Sequence, residues 1–212
     1  MKTNQFIDML STNLEPVDRG KTSRVLATAV VLGVAAAIGA ALLALGLRPD
    51  YVDAGALAFL GLKLLFAGSA AALAGFYLVK SARPGSSRKL PLLIALPFVA
   101  IMLLAIVSLS SVPGSHWQHM ISHGEWLECL VSIPLIAIVP FAVLVWAVRQ
   151  AAPTNLVHTG ALVGLVAGSI SAMGYALHCM ADSLPFIAIW YGGTIALCTL
   201  AGAKLGPRLL RW

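Results

Sequence analysis

The chain has 212 residues, 59% of them hydrophobic and 10% charged, with a formal net charge of +6. Soluble domains run to about 45–50% apolar and about 25% charged, so a soluble globular fold is excluded and an all-α, polytopic membrane protein is expected. The positive charge marks orientation rather than a nucleic-acid patch, because no basic run is interleaved with aromatics; no direct nucleic-acid binding is expected.

Residues 1–24 form a polar, basic head. Within it Phe6, Leu10 and Leu14 recur at i, i+4 and i+8 with Ile7 beside them, which places them on one face of a short helix. Glu15-Pro16 stops that helix, because the residue before proline is pushed from helical angles. So short a helix is marginal alone in water, and its apolar stripe must bury against the bilayer, the bundle or a partner. Membrane-surface helices carry Lys or Arg on the polar face. This one carries Asp8 and no base between Thr3 and Leu14, which favours a protein partner that takes a helix in a groove.

The first apolar run begins near Val25 and exceeds a signal-peptide core of roughly 7–15 residues, so it is expected to remain in the membrane. A spanning helix needs roughly 20 apolar residues. Six segments qualify: 25–47, 54–79, 90–109, 129–148, 156–177 and 184–205. Arg48-Pro49-Asp50 ends the first, Pro84-Gly85 parts the second from the third, Pro113-Gly114 follows the third, and Pro153 parts the fourth from the fifth. Twelve of the fourteen Lys and Arg lie in the head, in the loop after the second span, at Arg149 and at the C-terminus, whereas the other loops hold Asp50, Asp53, Glu125, Glu128 and Asp182. Cytoplasmic loops carry the Lys/Arg excess. Both termini are therefore expected in the cytoplasm, with a head (1–24) and a six-helix bundle (25–212).

Within the second span, Lys63 sits about ten residues in. A charge at mid-membrane costs roughly 2.5–3.5 kcal/mol on insertion scales. It is expected to snorkel or to pair with an acid such as Glu128 or Asp182. Gly160, Gly164 and Gly168, continued by Ala172, form a small-residue ridge on the fifth span, a packing signal with a dimer face as the sharper reading.

The loop after the third span reads SHWQHMISHGEWLEC and holds His116, His119, His123, Glu125, Glu128 and Cys129; the loop after the fifth holds His178, Cys179 and Asp182. Cys129 begins the fourth span and Cys179 follows the fifth, so both are expected at the outer membrane surface. A disulfide persists in an oxidising compartment, and thiolates with imidazole also suit thiophilic metal ions. A redox or metal-sensing role is expected for the pair. His116, His119 and His123 share one face if helical, which suits a metal but equally an interfacial belt beside Trp117 and Trp126. No resident cofactor is expected; a thiophilic metal ion enters only as a signal.

Residues 175–191 (YALHCMADSLPFIAIWY) and the ending LGPRLLRW (205–212) resemble the negative regulator of sigma F family, the NrsF or DUF1109 group. Ala151-Ala152-Pro153-Thr154, Trp126 to Cys129 followed by Ile133-Pro134, and the opening Met-Lys-Thr fit as well. One acid of the family's stretch after the second cysteine is missing, and the proline is displaced by a residue. The resemblance implies a six-span inner-membrane anti-sigma factor rather than an enzyme. It implies an extracytoplasmic-function sigma factor held by Phe6, Ile7, Leu10 and Leu14, and sensing by Cys129 and Cys179. The rival readings are a membrane thiol–disulfide oxidoreductase, which lacks the usual CxxC pair, and a small metal-ion or solute transporter, which lacks acids inside any span.

Overall fold

The computed structural model describes Thr3 and residues 20–50, 53–81, 92–122, 124–151 and 153–211. The head residues Phe6, Ile7, Leu10 and Leu14, and His123, lie outside the described residues. Six helices are long and apolar enough to cross a membrane, and no strand occurs among the described residues.

Helix α1 (Lys21–Ala44) ends at Gly46, not at the Arg48-Pro49-Asp50 turn. The Leu45 and Gly46 amides both reach the Ala41 carbonyl, and Gly46 takes φ 79°, a left-handed angle that glycine adopts without a Cβ penalty. Helix α2 (Ala54–Ser81) is capped by Asp53, whose Oδ2 accepts the Ala56 amide at 2.9 Å. A 3-10 turn (Leu92–Ala95) leads into α3 (Leu96–Ser110), with Pro97 in its first turn, where its missing N–H costs nothing.

A second 3-10 turn (Gly114–His116) and the six-residue α4 (Trp117–Ser122) connect to α5 (Trp126–Arg149). Helix α5 starts three residues before Cys129 and carries Pro134 and Pro140 in its interior. Helix α6 (Leu156–Ala176) is capped by Asn155, whose Oδ1 accepts the His158 amide. Helix α7 (Leu184–Leu209) opens with Ser183 Oγ accepting the Phe186 amide, and it widens into a π-turn at Ile187–Tyr191.

Helix α6 is the centre. Its most apolar stretch is 72% buried, against 44% for α7 and 28% or less for the others. It packs against α7, α2, α5 and α1, and α3 stands outside on α2 and the start of α7. Glycines make this possible. A Cβ on Gly160 would lie 2.7 Å from the Gly206 Cα, and one on Gly168 would lie 2.8 Å from the Cys198 Cβ. On another face a Cβ on Gly174 would lie 2.8 Å from the Ala37 carbonyl oxygen. The ridge expected from the sequence is therefore filled within the chain by α7, the sixth span. Close backbone approach here lets van der Waals packing hold the two helices together.

Consecutive spans run in opposite directions, so the loops alternate between two ends. One end gathers every described Asp and Glu: Asp50, Asp53, Glu125, Glu128 and Asp182. The other gathers Arg24, Lys80, Arg149, Lys204, Arg208 and Arg211.

Candidate functional site

The loop between α6 and α7 folds into the acidic end of the bundle instead of lying across it. Cys179 and Ala181 are fully enclosed. Non-helical backbone at membrane depth is tolerated only where protein satisfies its polar groups, and two buried cations do so here. Lys63 of α2, also fully enclosed, donates from Nζ to the Cys179 carbonyl at 2.9 Å and to Asp182 Oδ1 at 2.9 Å. Arg48, 2% exposed, donates from Nη2 to Asp182 Oδ2 at 2.7 Å and from Nε to Asp50 Oδ1 at 2.6 Å. Its own backbone amide donates to the Leu177 carbonyl at 3.1 Å.

Two cations thus meet two carboxylates, and the net charge of the cluster is zero. A buried charge is tolerable only when paired and hydrogen-bonded. The Asp50 and Asp182 hydrogen bonds raise the Arg48 pKa above its ordinary value, and the Arg48 hydrogen bond holds the Asp50 carboxyl below its own. The cluster latches three elements that are remote in sequence: the turn after α1, the upper half of α2 and the α6–α7 loop.

Of the two acids that the sequence offered to Lys63, Asp182 is the partner. Arg48 as a second cation on the same carboxylate, and Asp50 behind it, were not expected. The available signal was that Arg48 is the only base in the acid-rich loops.

Cys129 on α5 and Cys179 in the loop are both free and fully buried. Both are enclosed by protein at the acidic end, where the α4 segment is tied to the start of α7. Ser183 Oγ donates to the Met120 carbonyl at 2.6 Å, and Trp190 Nε1 to the Ile121 carbonyl at 2.7 Å. The Met180 amide donates to Glu125 Oε2 at 3.2 Å, and Trp126 and Trp190 stack with centroids 5.0 Å apart. Burial pushes the Cys179 thiol pKa up, so the thiol is protonated and a poor nucleophile at rest.

Tyr175 and Tyr191, centroids 6.0 Å apart, sit beside the cysteines. The Tyr191 hydroxyl neighbours the Cys179 thiol without a well-formed hydrogen bond, and the Tyr175 hydroxyl and His178 Nδ1 also have no hydrogen-bond partner. Neither tyrosine was singled out from the sequence, where each reads as one more aromatic in an apolar run.

The histidine expectation divides. His116 and His119 are exposed on the outer side of the α4 segment, where His116 Nδ1 meets Ser115 Oγ at 3.3 Å. Among the described residues, no three His, Cys, Asp or Glu side chains gather to hold a metal ion. His178, Cys179 and Cys129 are therefore not joined by His116 or His119. Trp117 is a staple, its Nε1 donating to the Leu109 and Val112 carbonyls at 3.0 and 3.1 Å.

An apolar bundle with six helices long enough to cross a membrane, locked by a neutral buried charge cluster beside two free buried cysteines, defines an all-helical protein built to hold or change a conformation. The chain belongs to the negative regulator of sigma F family (NrsF), whose sequence profile matches residues 10–212. This is a family of regulatory proteins, not of enzymes. The chain is 31% identical over 215 residues to the anti-sigma-F factor NrsF of Caulobacter vibrioides, covering all of both chains. It is 28% identical over 213 residues to the probable anti-sigma-F factor NrsF of Azospira oryzae, again covering all of both. No solved structure matches the chain.

Proposed function

We propose that the chain is a membrane-anchored anti-sigma factor. Its six helices cross the bacterial inner membrane with both termini in the cytoplasm. Its head (1–24) holds an extracytoplasmic-function sigma factor through Phe6, Ile7, Leu10 and Leu14. The observation that carries this reading is the full-length likeness to an anti-sigma-F factor. The segregation of acids and bases to opposite ends supports the orientation.

In this reading the acidic end is periplasmic, and Cys129 and Cys179 are the sensing pair. Their burial means that an oxidant or a thiophilic metal ion acts only when the acidic end opens. A change at Cys179 moves the carbonyl that Lys63 holds and, through Asp182, the Arg48 turn that ends α1. Helix α1 leads back to the head. To move the sigma factor from mostly held to mostly free, the signal must change affinity by about 10⁴, or roughly 5.5 kcal/mol. Disulfide formation or metal capture supplies free energy of that order.

The test is a reporter of the sigma factor's promoters in the host. Full-length protein with Phe6→Asp and Leu10→Asp raises transcription without stress, and Cys129→Ser or Cys179→Ser makes transcription unresponsive to stress. Unchanged basal transcription in the head variant rules out the binding face. A wild-type response in both cysteine variants rules out the sensor.

A further inference from the structure

At the basic end the bundle is not closed. A slot of about 600 Å³ lies between helices α5 and α7. One wall runs along α5 from Pro134 to Arg149, the other along α7 from Leu197 to Leu209, and Gly164 and Ala167 of α6 form the floor. The floor is shallow because Gly164 and Ala167 carry almost no side chain, and Pro134 of α5 stands at the inner end of the slot.

Its lining is almost wholly apolar, and Arg149 at its mouth is the only charged residue lining it. Beside that mouth, at the end of α7, stand the exposed Lys204, Arg208 and Arg211. Every described Asp and Glu is at the other end of the bundle, so nothing acidic among the described residues offsets these cations. The exposed Trp146, 64% accessible, also lines the slot one turn before Arg149, and tryptophan favours the level of the lipid headgroups.

The length fits as well. Pro134 to Arg149 is fifteen residues along α5, about 22 Å at about 1.5 Å per residue, whereas one leaflet's hydrocarbon is about 15 Å deep. The slot therefore runs from the basic interface to beyond the bilayer midplane, parallel to the chains of a phospholipid.

We infer that this slot is a binding site for one acyl chain of an anionic phospholipid, with Arg149 on the phosphate and the tail lying over Gly164 and Ala167. A cation in an otherwise apolar, membrane-facing groove selects a negatively charged head over a zwitterionic one. This site is separate from the cysteine cluster and does not depend on what the head binds.

The test is native mass spectrometry of the full chain purified in mild detergent, titrated with an equal mixture of phosphatidylglycerol and phosphatidylcholine. Wild-type protein retains phosphatidylglycerol preferentially. Arg149→Gln, at an exposed position, lowers that preference by about fivefold, the effect of one cation near a membrane surface. Ala201→Phe, which fills the slot, removes retention of both lipids while the helical signal and melting temperature stay at wild-type values. Equal retention of the two lipids by the wild type overturns the proposal, as does an Arg149→Gln protein with unchanged preference. A dimer that disappears in Ala201→Phe also overturns it, because the slot then holds a second copy.

Discussion

The acidic and basic ends of this bundle handle charge in opposite ways. At the acidic end Arg48 and Lys63 are buried and paired, and each hydrogen bond spent on Asp182 ties down a different stretch of chain. At the basic end the cations on α5 and α7 are exposed, and a slot lies between the two helices. A buried pair is costly to break and therefore fixes conformation; an exposed cation costs little and remains available to something outside the chain. The contrast assigns rigidity to the end with the cysteines and accessible charge to the basic end.

The largest expected effect breaks the first half of that contrast. Asp182→Asn leaves Lys63 enclosed without its anion and takes one partner from Arg48, and should cost about 3–5 kcal/mol, read as a fall in the detergent melting temperature. Lys63→Met should cost less, about 1–3 kcal/mol, because Asp182 loses one donor but keeps Arg48, and the Cys179 carbonyl loses the other. The double variant should cost less than the sum of the two; strict additivity would mean that the two side chains do not act as a pair.

Next in size is the glycine seam that joins the two ends. A Cβ on Gly164 would sit against the Cys198 carbonyl and 3.1 Å from the Thr199 Cα, and backbone cannot yield as a side chain can. Gly164→Leu should therefore cost about 1–3 kcal/mol or more. A neutral result would place the α6–α7 contact elsewhere.

Reactivity sharpens the comparison more gently. With its pKa pushed up by burial, Cys179 should resist maleimide in the folded protein at neutral pH and react once the protein is unfolded. As pH rises above about 8.5, the ordinary thiol value, the unfolded chain ionises first and stability falls. Rapid labelling of folded protein at neutral pH would show that the enclosure of Cys179 opens.

In acid the sign reverses. The folded Asp50 carboxyl titrates below its ordinary value, so its contribution is present above the unfolded value of about 3.9 and is lost as pH falls through the lower folded one. Melting temperature should drop below about pH 4, and Asp50→Asn should flatten part of that drop. The smallest effect belongs to the exposed histidines: His116→Ala and His119→Ala should each stay within about 0.5 kcal/mol of wild type.

How much of this was legible in the sequence follows the same division. The six spans were legible because twenty-residue apolar runs admit no other structure in lipid. Lys63 announced that it needed a partner, since an unpaired charge there is too costly, and the acid-rich loops narrowed the choice to Glu128 or Asp182. Arg48 gave no such signal, because a base in a loop beside proline reads as solvated, and only the fold shows the α6–α7 loop descending onto it. The glycine ridge was visible, but its partner was not, because one ridge fits any small-residue face. That Cys129 and Cys179 are enclosed by protein was not legible, because the sequence suggests an open loop where α4 forms and where α5 already begins at Trp126.

The central claim is that the head holds a sigma factor while the bundle stays folded. The most direct measurement is co-purification of the full-length protein from its native host in mild detergent, beside the Phe6→Asp/Leu10→Asp variant, with bound proteins identified by mass spectrometry. The account predicts a sigma factor with the wild type and none with the variant, at equal melting temperatures. Absence of any sigma factor from the wild type, or its equal retention by the variant, would contradict it.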